Sequence, residues 1–229
     1  MNPVERALRY PYDQPESSYV LTSKGPRPLV SALPLADRIP VLAVGSNQSA
    51  ERLADKFPDL KDSEAIPVQR GVLEGFDAVY SAHFTRYGAI PATLFAAPKV
   101  RSRLCITWLT EPQLTIMHNT EALGQNYGFE RLDDVRFTCE QGPQVHTLFS
   151  YISLRGAWAP DGAPIPLAAV QAEGRPQVGQ SQMQVQEAAR LRIAPRMGLA
   201  EFIAGTIEDA PCRAERTARL AADGQPVTL

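Results

Sequence analysis

Residues 41–57, VLAVGSNQSAERLADKF, decide how the rest of the chain is read. An apolar run, Val41 to Val44, meets Gly45, Ser46 and Asn47, and a segment with helical spacing follows. Glycine reaches backbone conformations closed to other residues, and Ser and Asn bond their own backbone and cap helices, so a strand-to-helix turn accounts for the triplet without a ligand. The same junction leaves the first N–H groups of the helix without intrahelical partners and with partial positive charge, which suits a carboxylate or phosphate. The surrounding sequence has to distinguish the two.

With 229 residues, 44% of them apolar and 21% charged, the composition is that of a globular protein rather than a disordered one. A net charge of −2 and a pI near 6.0 give no footprint for nucleic acid or an anionic membrane. Cys105, Cys139 and Cys212 are far apart and lack CxxC spacing, which argues against a disulfide framework or a zinc site and for a reducing compartment. The first twenty residues lack the apolar core of a signal peptide, and no run approaches the roughly eighteen apolar residues of a membrane span. The expected location is cytoplasmic.

The pattern divides the chain into a Pro- and Ser-rich arm (1–38), a core (39–154) and a loop followed by helices (155–229). In the core, a strand is expected at 39–44, a helix at 49–57, and strand-like runs at 66–73, 76–84, 90–96 and 100–109. In the run at 76–84, Phe76, Ala78, Tyr80, Ala82 and Phe84 alternate onto a core face, leaving Asp77, Ser81 and His83 on a wetter one. TEPQLTIMHNTE (110–121) starts a helix, with Thr110 and Gln113 at capping-box spacing and Pro112 in the tolerant first turn. VRFTCE (135–140) and VHTLFSYISL (145–154) read as a hairpin turned by QGPQ. Ser181 with Gln184 caps another helix, and further helices are expected at 199–208 and 211–222, the latter with Pro211 in its first turn. Strands in succession with helices gathered late point to an α+β fold.

On a helix starting at Thr110, residues Leu114, Met117, His118 and Glu121 fall at i, i+3, i+4 and i+7, so Glu121 projects from the face expected to meet the core. A buried, unpaired carboxylate there would resist ionisation and exchange a proton near neutral pH; a frayed last turn would instead hand it to water.

Gly45-Ser46-Asn47 after a strand, then small-residue strands (YGAIPATL), a strand ending in CITWL, and the segment LTIMHNTEALGQNY together resemble the gamma-glutamyl cyclotransferase-like family. That family's pattern is a YGSN loop after the first strand, a later LDxxE, and a Tyr soon after that Glu. Here Val44 stands in place of the Tyr of YGSN, Met117 to Glu121 fill LDxxE with His118 where the family has Asp, and Tyr127 follows. The similarity spans roughly residues 39–154. It implies a small mixed β-barrel with packed helices, a cavity at its mouth, and release of 5-oxoproline from a gamma-glutamyl compound. Gly45, Ser46 and Asn47 would bind the glutamyl α-carboxylate and the developing oxyanion, Glu121 would be the acid/base, and Tyr127 and Tyr151 would line the substrate site.

That chemistry needs little else. The substrate's own α-amine attacks its γ-carbonyl, so folding the glutamyl chain, donating hydrogen bonds to the oxyanion and one proton-transferring carboxylate are sufficient, with no metal or cofactor. The expected partner is a small gamma-glutamyl molecule. His83, His118 and His146 lack metal-binding spacing, Ser46 lacks a GxSxG setting, and Cys105 inside a strand reads as an inert thiol. Trp108, Met117 and Tyr80 read as core, and the arginines at 190, 192, 196, 213, 216 and 219 as solvated helix faces. The alternative is a non-catalytic scaffold of the same kind binding a metabolite or a protein partner.

Overall fold

The arm folds rather than trailing. In this computed structural model, which describes residues 1–30 and 35–229, helix α1 (Pro3–Leu8) begins at a capping box in which Asn2 and Glu5 exchange side chain-to-backbone hydrogen bonds, with Pro3 in the first turn. A short hairpin, β1 (Tyr19–Thr22) and β2 (Gly25–Pro28), follows. Residues 31–34 of the expected arm lie outside the described residues.

The apolar run then forms β3 (Ile39–Ala43), the Gly-Ser-Asn junction winds into a single 3-10 turn (Ser46–Gln48), and α2 spans Ala50–Lys56. The four expected strand-like runs are two long strands, β4 (Ile66–Tyr80) and β5 (Ala92–Leu109). They pair antiparallel throughout, broken where Gly75 on β4 faces Ala97 to Val100 on β5. Gly75 sits at φ +83° with open space around its α-carbon, so a bulge bends the ribbon without ending it.

Helix α3 (Glu111–His118) carries the expected Thr110/Gln113 capping box. The expected hairpin at 135–154 is divided differently. Strand β6 (Tyr127–Leu132) precedes it unannounced, and β7 (Phe137–Cys139) pairs with β4 and with the two-residue β8 (Gln144–Val145). The chain then jogs, so that β9 (Leu148–Ser153) pairs with β3 and β6 instead. Two-residue strands β10 (Ala157–Trp158) and β11 (Ala172–Glu173) mark the long loop. Helices α4 (Gln182–Ile193), α5 (Leu199–Glu208) and α6 (Ala210–Ala222) and the short β12 (Gly224–Gln225) complete the chain.

The sheet runs β2-β1-β4-β5-β3-β9-β6, antiparallel except for β3 beside β9, with β7 and β8 on the β4 side and β11 on β5. The fold is α+β, with a large mixed sheet, but the expected barrel is not closed. Beyond the bulge, the outer edge of β4 is taken by the loop: Leu167 N–H donates to Ala78 O and Tyr80 N–H to Ile165 O, both at 2.9 Å. That edge is therefore occupied before β6 can reach it.

Both faces are buried, as the alternation along β3 and β5 shows. Leu42, Ile106 and Trp108 share one core with Phe202, Ile203 and Leu220 of the late helices. Val41, Ala43, Cys105 and Leu109 share the other with Leu53 of α2 and Met117 of α3. Burial pushes the Cys105 thiol up to about 12, so it is an inert packing residue. Two arginines expected on solvated faces are instead buried. Arg190 donates to the carbonyls of Pro195 and Met197 in the connection after its helix, and Arg216 to Phe202 O and Thr206 Oγ1 of the preceding helix.

The expected wetter face at 77–83 is also buried, because the 155–180 loop covers it. Asp77 is 4% exposed, and Arg175 donates to it through Nε and Nη2. Replacing Arg175 with Met strands that carboxylate and is expected to cost on the order of 3–5 kcal/mol in chemical denaturation, whereas the paired change Asp77→Asn with Arg175→Met should cost clearly less. Equal losses for both variants would show that the ion pair is not what fixes the loop.

Candidate active site

Gly45 is where the chain lets another element in. A β-carbon there would lie 1.9 Å from Tyr10 Oη, so only glycine admits the phenol of the arm. Tyr10 Oη accepts from Ala92 N–H at 2.7 Å, and Tyr127 Oη donates to Ala92 O at 3.0 Å. Both backbone groups of Ala92 at the start of β5 are thus satisfied by phenols, one from the arm and one from β6, and burial holds both phenols well above their ordinary pKa. The 3-10 turn uses the N–H groups of Gln48 and Ser49, which donate to Gly45 O and Ser46 O, so those of Ser46 and Asn47 stand outside its own bonding.

Glu121 reaches this loop by a route that the helical spacing does not give. Helix α3 stops at His118, and the chain reverses through a turn in which Thr120 N–H donates to Met117 O and Glu121 N–H to His118 O, followed by Ala122 at φ +48°. The reversal returns Glu121 toward α2. Its Oε1 accepts from Asn47 Nδ2 at 2.9 Å across 74 residues of sequence, and from Lys56 Nζ, which also donates to Asn47 Oδ1 at 2.6 Å. The Lys56 and Glu121 side chains are 10% and 13% exposed. The expectation of a carboxylate without a partner is therefore corrected: Glu121 is half of a largely buried ion pair, and its other oxygen, Oε2, makes no hydrogen bond among the described residues.

Gly45, Ser46, Asn47, Glu121, Tyr127 and Tyr151 all line one cavity of about 830 Å³. Tyr151 Oη lies 2.8 Å from His118 Nδ1, and the His118 ring stands edge-on to those of Phe129 and Tyr151, so His118 orients a wall of the site. His83 also lines the cavity. Its Nδ1 is 2.7 Å from Ser81 Oγ, which donates to Ser153 Oγ, so the network assigns the proton to Nδ1.

Lys56, Tyr10 and Tyr87 were missed in the sequence. Lys56 sits in the last turn of α2, where a cation is expected for the helix dipole alone. The tyrosines carry no local signal. The nearest available sign was Lys56 nine residues after Asn47 in the same stretch. Among the described residues, no three His, Cys, Asp or Glu side chains come together as a metal site.

No protein-family model and no curated protein matches the chain. Solved structures similar to it include a gamma-glutamyl cyclotransferase, with a TM-score of 0.42 and 15% identity over 84% of this chain and 90% of that one. An uncharacterized Homo sapiens protein has a TM-score of 0.42 and 16% identity over 84% and 91%. An Arabidopsis thaliana protein determined in solution has 0.39 and 14% over 58% and 74%. All lie below a TM-score of 0.5, and the functional reading that follows rests on the site's own geometry.

Two outcomes test this construction. Gly45→Ala is expected to cost about 1–3 kcal/mol through the clash with Tyr10. Tyr10→Phe alone should cost about 1–3 kcal/mol for the stranded Ala92 N–H. The double variant should lose less than the sum of the two single losses, and additive losses in denaturant melts would mean that the phenol does not contact Gly45. Burial, reinforced by the charge of Arg155, pushes His83 down to about 3. Between about pH 6.5 and 3 the unfolded chain then holds a proton that the folded chain lacks, so stability falls as pH drops, by about 1.4 kcal/mol per unit. His83→Asn should flatten this slope in denaturation series between about pH 4 and 7, and an unchanged slope would contradict it.

Proposed function

We propose that the chain is a cyclotransferase that releases 5-oxoproline from a gamma-glutamyl compound. The observation that carries this reading is the meeting of the Gly45–Asn47 loop with Glu121 at hydrogen-bond distance on one cavity wall. The substrate's α-ammonium gives a proton to Glu121 Oε2, and the freed amine attacks the γ-carbonyl carbon to form the ring C–N bond. Loop N–H groups stabilise the oxyanion, and Glu121 returns the proton to the leaving nitrogen as its bond to carbon breaks. The ring nitrogen passes its second proton through the same carboxylate to the departing amine, which leaves the neutral lactam of 5-oxoproline and an ammonium product. Asn47 and Lys56 both hold Oε1, which fixes the carboxylate and leaves Oε2 as the working oxygen. His118 orients the Tyr151 wall, and Tyr127 and Tyr10 shape the floor. Three unpaired cysteines support a reducing, cytoplasmic setting, and no described helix is long and apolar enough to cross a membrane.

A second reading is favoured by the ion pair itself, because Lys56 already engages the carboxylate: a non-catalytic module that binds a small metabolite. Screening gamma-glutamyl compounds for 5-oxoproline by mass spectrometry separates the two. Glu121→Gln should lower turnover by about 10²–10⁴-fold. Because it leaves the Lys56 ammonium without its counter-charge, it should also cost on the order of 3–5 kcal/mol of stability. Adding Lys56→Met should recover much of the stability and none of the turnover. A double variant as active as the parent would remove Glu121 from the chemistry, and metabolite binding without 5-oxoproline release would establish the second reading.

A further inference from the structure

The cavity has a second end with a different character. Arg6 of α1, Arg52 of α2, Arg86 of the β4–β5 connection and Arg213 of α6 line it, four elements distant in the chain that converge on one space. The chain as a whole carries a net charge of −2, so this wall is not an average sample of its surface. Arg52 has an acidic partner, Asp55, on its own helix. Arg6, Arg86 and Arg213 make no ion pair among the described residues, and Arg213 is held against the last turn of α5 by donating to Thr206 O and Ile207 O.

Two of these cations meet one ring. The guanidinium carbons of Arg6 and Arg52 lie 5.7 and 5.8 Å from the centroid of Tyr87. Arg52 is 11% exposed, and its Nε is buried without a hydrogen-bond partner among the described residues. A largely desolvated donor without a partner is unfavourable, and an anion that accepts from it offsets that cost. Guanidinium groups suit carboxylates in particular, which they bind with two parallel hydrogen bonds.

The position of this wall fixes what it meets. Arg52 and Lys56 both line the cavity and stand one helical turn apart on α2, so the arginines begin beside the Glu121 pair. In the proposed reaction the glutamyl α-carboxylate lies at the Gly45–Asn47 loop and the α-ammonium at Glu121. Lys56 is neutralised by Glu121 and Arg52 by Asp55. The charges left over are those of Arg6, Arg86 and Arg213, which line the same cavity and have no role in that reaction.

We propose that this end of the cavity is an anion subsite for the leaving group, and that the substrate is a gamma-glutamyl conjugate of an acidic amine, one carrying two carboxylates. The inference rests on the cyclotransferase reading for the direction of the substrate, and its test separates the two. Gamma-glutamyl-glutamate and gamma-glutamyl-ethylamide share the glutamyl half and differ in leaving-group charge. Calorimetric titration of the full chain should show the diacid conjugate bound about ten-fold or more tightly than the amide, with the preference shrinking as salt rises from about 0.01 to about 0.5 M.

Arg6 and Arg86 are exposed, so the double variant Arg6→Gln with Arg86→Gln carries little risk to folding. It should reduce the binding ratio by about four-fold or more, at about two-fold or more per exposed charge. Equal binding of the two conjugates, or a preference untouched by the double variant, overturns the subsite. A preference for the diacid without 5-oxoproline release leaves the subsite standing and overturns the cyclotransferase reading. Release of 5-oxoproline at equal efficiency from both conjugates does the reverse.

Discussion

The approach of the Tyr10 phenol to Gly45 is the constraint on which the site depends. A single missing β-carbon lets an arm residue reach the backbone of Ala92, and Tyr127 completes that residue's hydrogen bonding from β6. Four segments, the arm, the loop after β3, the start of β5 and β6, are thereby fixed to one another through buried donors and acceptors. Leaving any of them unpaired would cost more than the hydrogen bond itself contributes. The cavity lies among these segments, so its shape follows from the contact.

A bent β4–β5 ribbon supplies the rest of the frame. Its bulge at Gly75 directs the upper part of β4 against the 155–180 loop, and the backbone bonds made there leave the sheet open while giving the late helices a surface to pack on. The loop is held in turn by Arg175 on Asp77. Polar residues on a covered strand face are paired with one another, as with Asp77 and Arg175, or Ser81, His83 and Ser153. That pairing permits burial on both sides of the ribbon.

Within the site, Asn47, Lys56 and Glu121 form a closed triangle of hydrogen bonds. One carboxylate oxygen is engaged twice and the other makes no hydrogen bond among the described residues, so the side chain has a defined orientation with one oxygen open to the cavity. The cationic wall a helical turn away makes the cavity asymmetric in charge, and asymmetry of this kind orients a ligand as well as attracting it.

Local signals carried much of this in the sequence. The apolar run into Gly45 gave a strand and turn, Thr110 with Gln113 and Ser181 with Gln184 gave true helix starts, and the alternation along 76–84 gave the face that meets the core. These are decided by neighbours a few residues apart, which periodicity and capping report directly. Other features depend on pairings between distant residues, and no local pattern encodes them. The jog that sends β9 to β3, the loop that occupies the edge of β4, the reversal that turns Glu121 back onto Asn47, and the burial of Lys56 against it are of this kind. The sequence by itself named the loop and the carboxylate. Only the tertiary structure gave the carboxylate a counter-ion, because a charge pair is set by distance in space and not by separation along the chain.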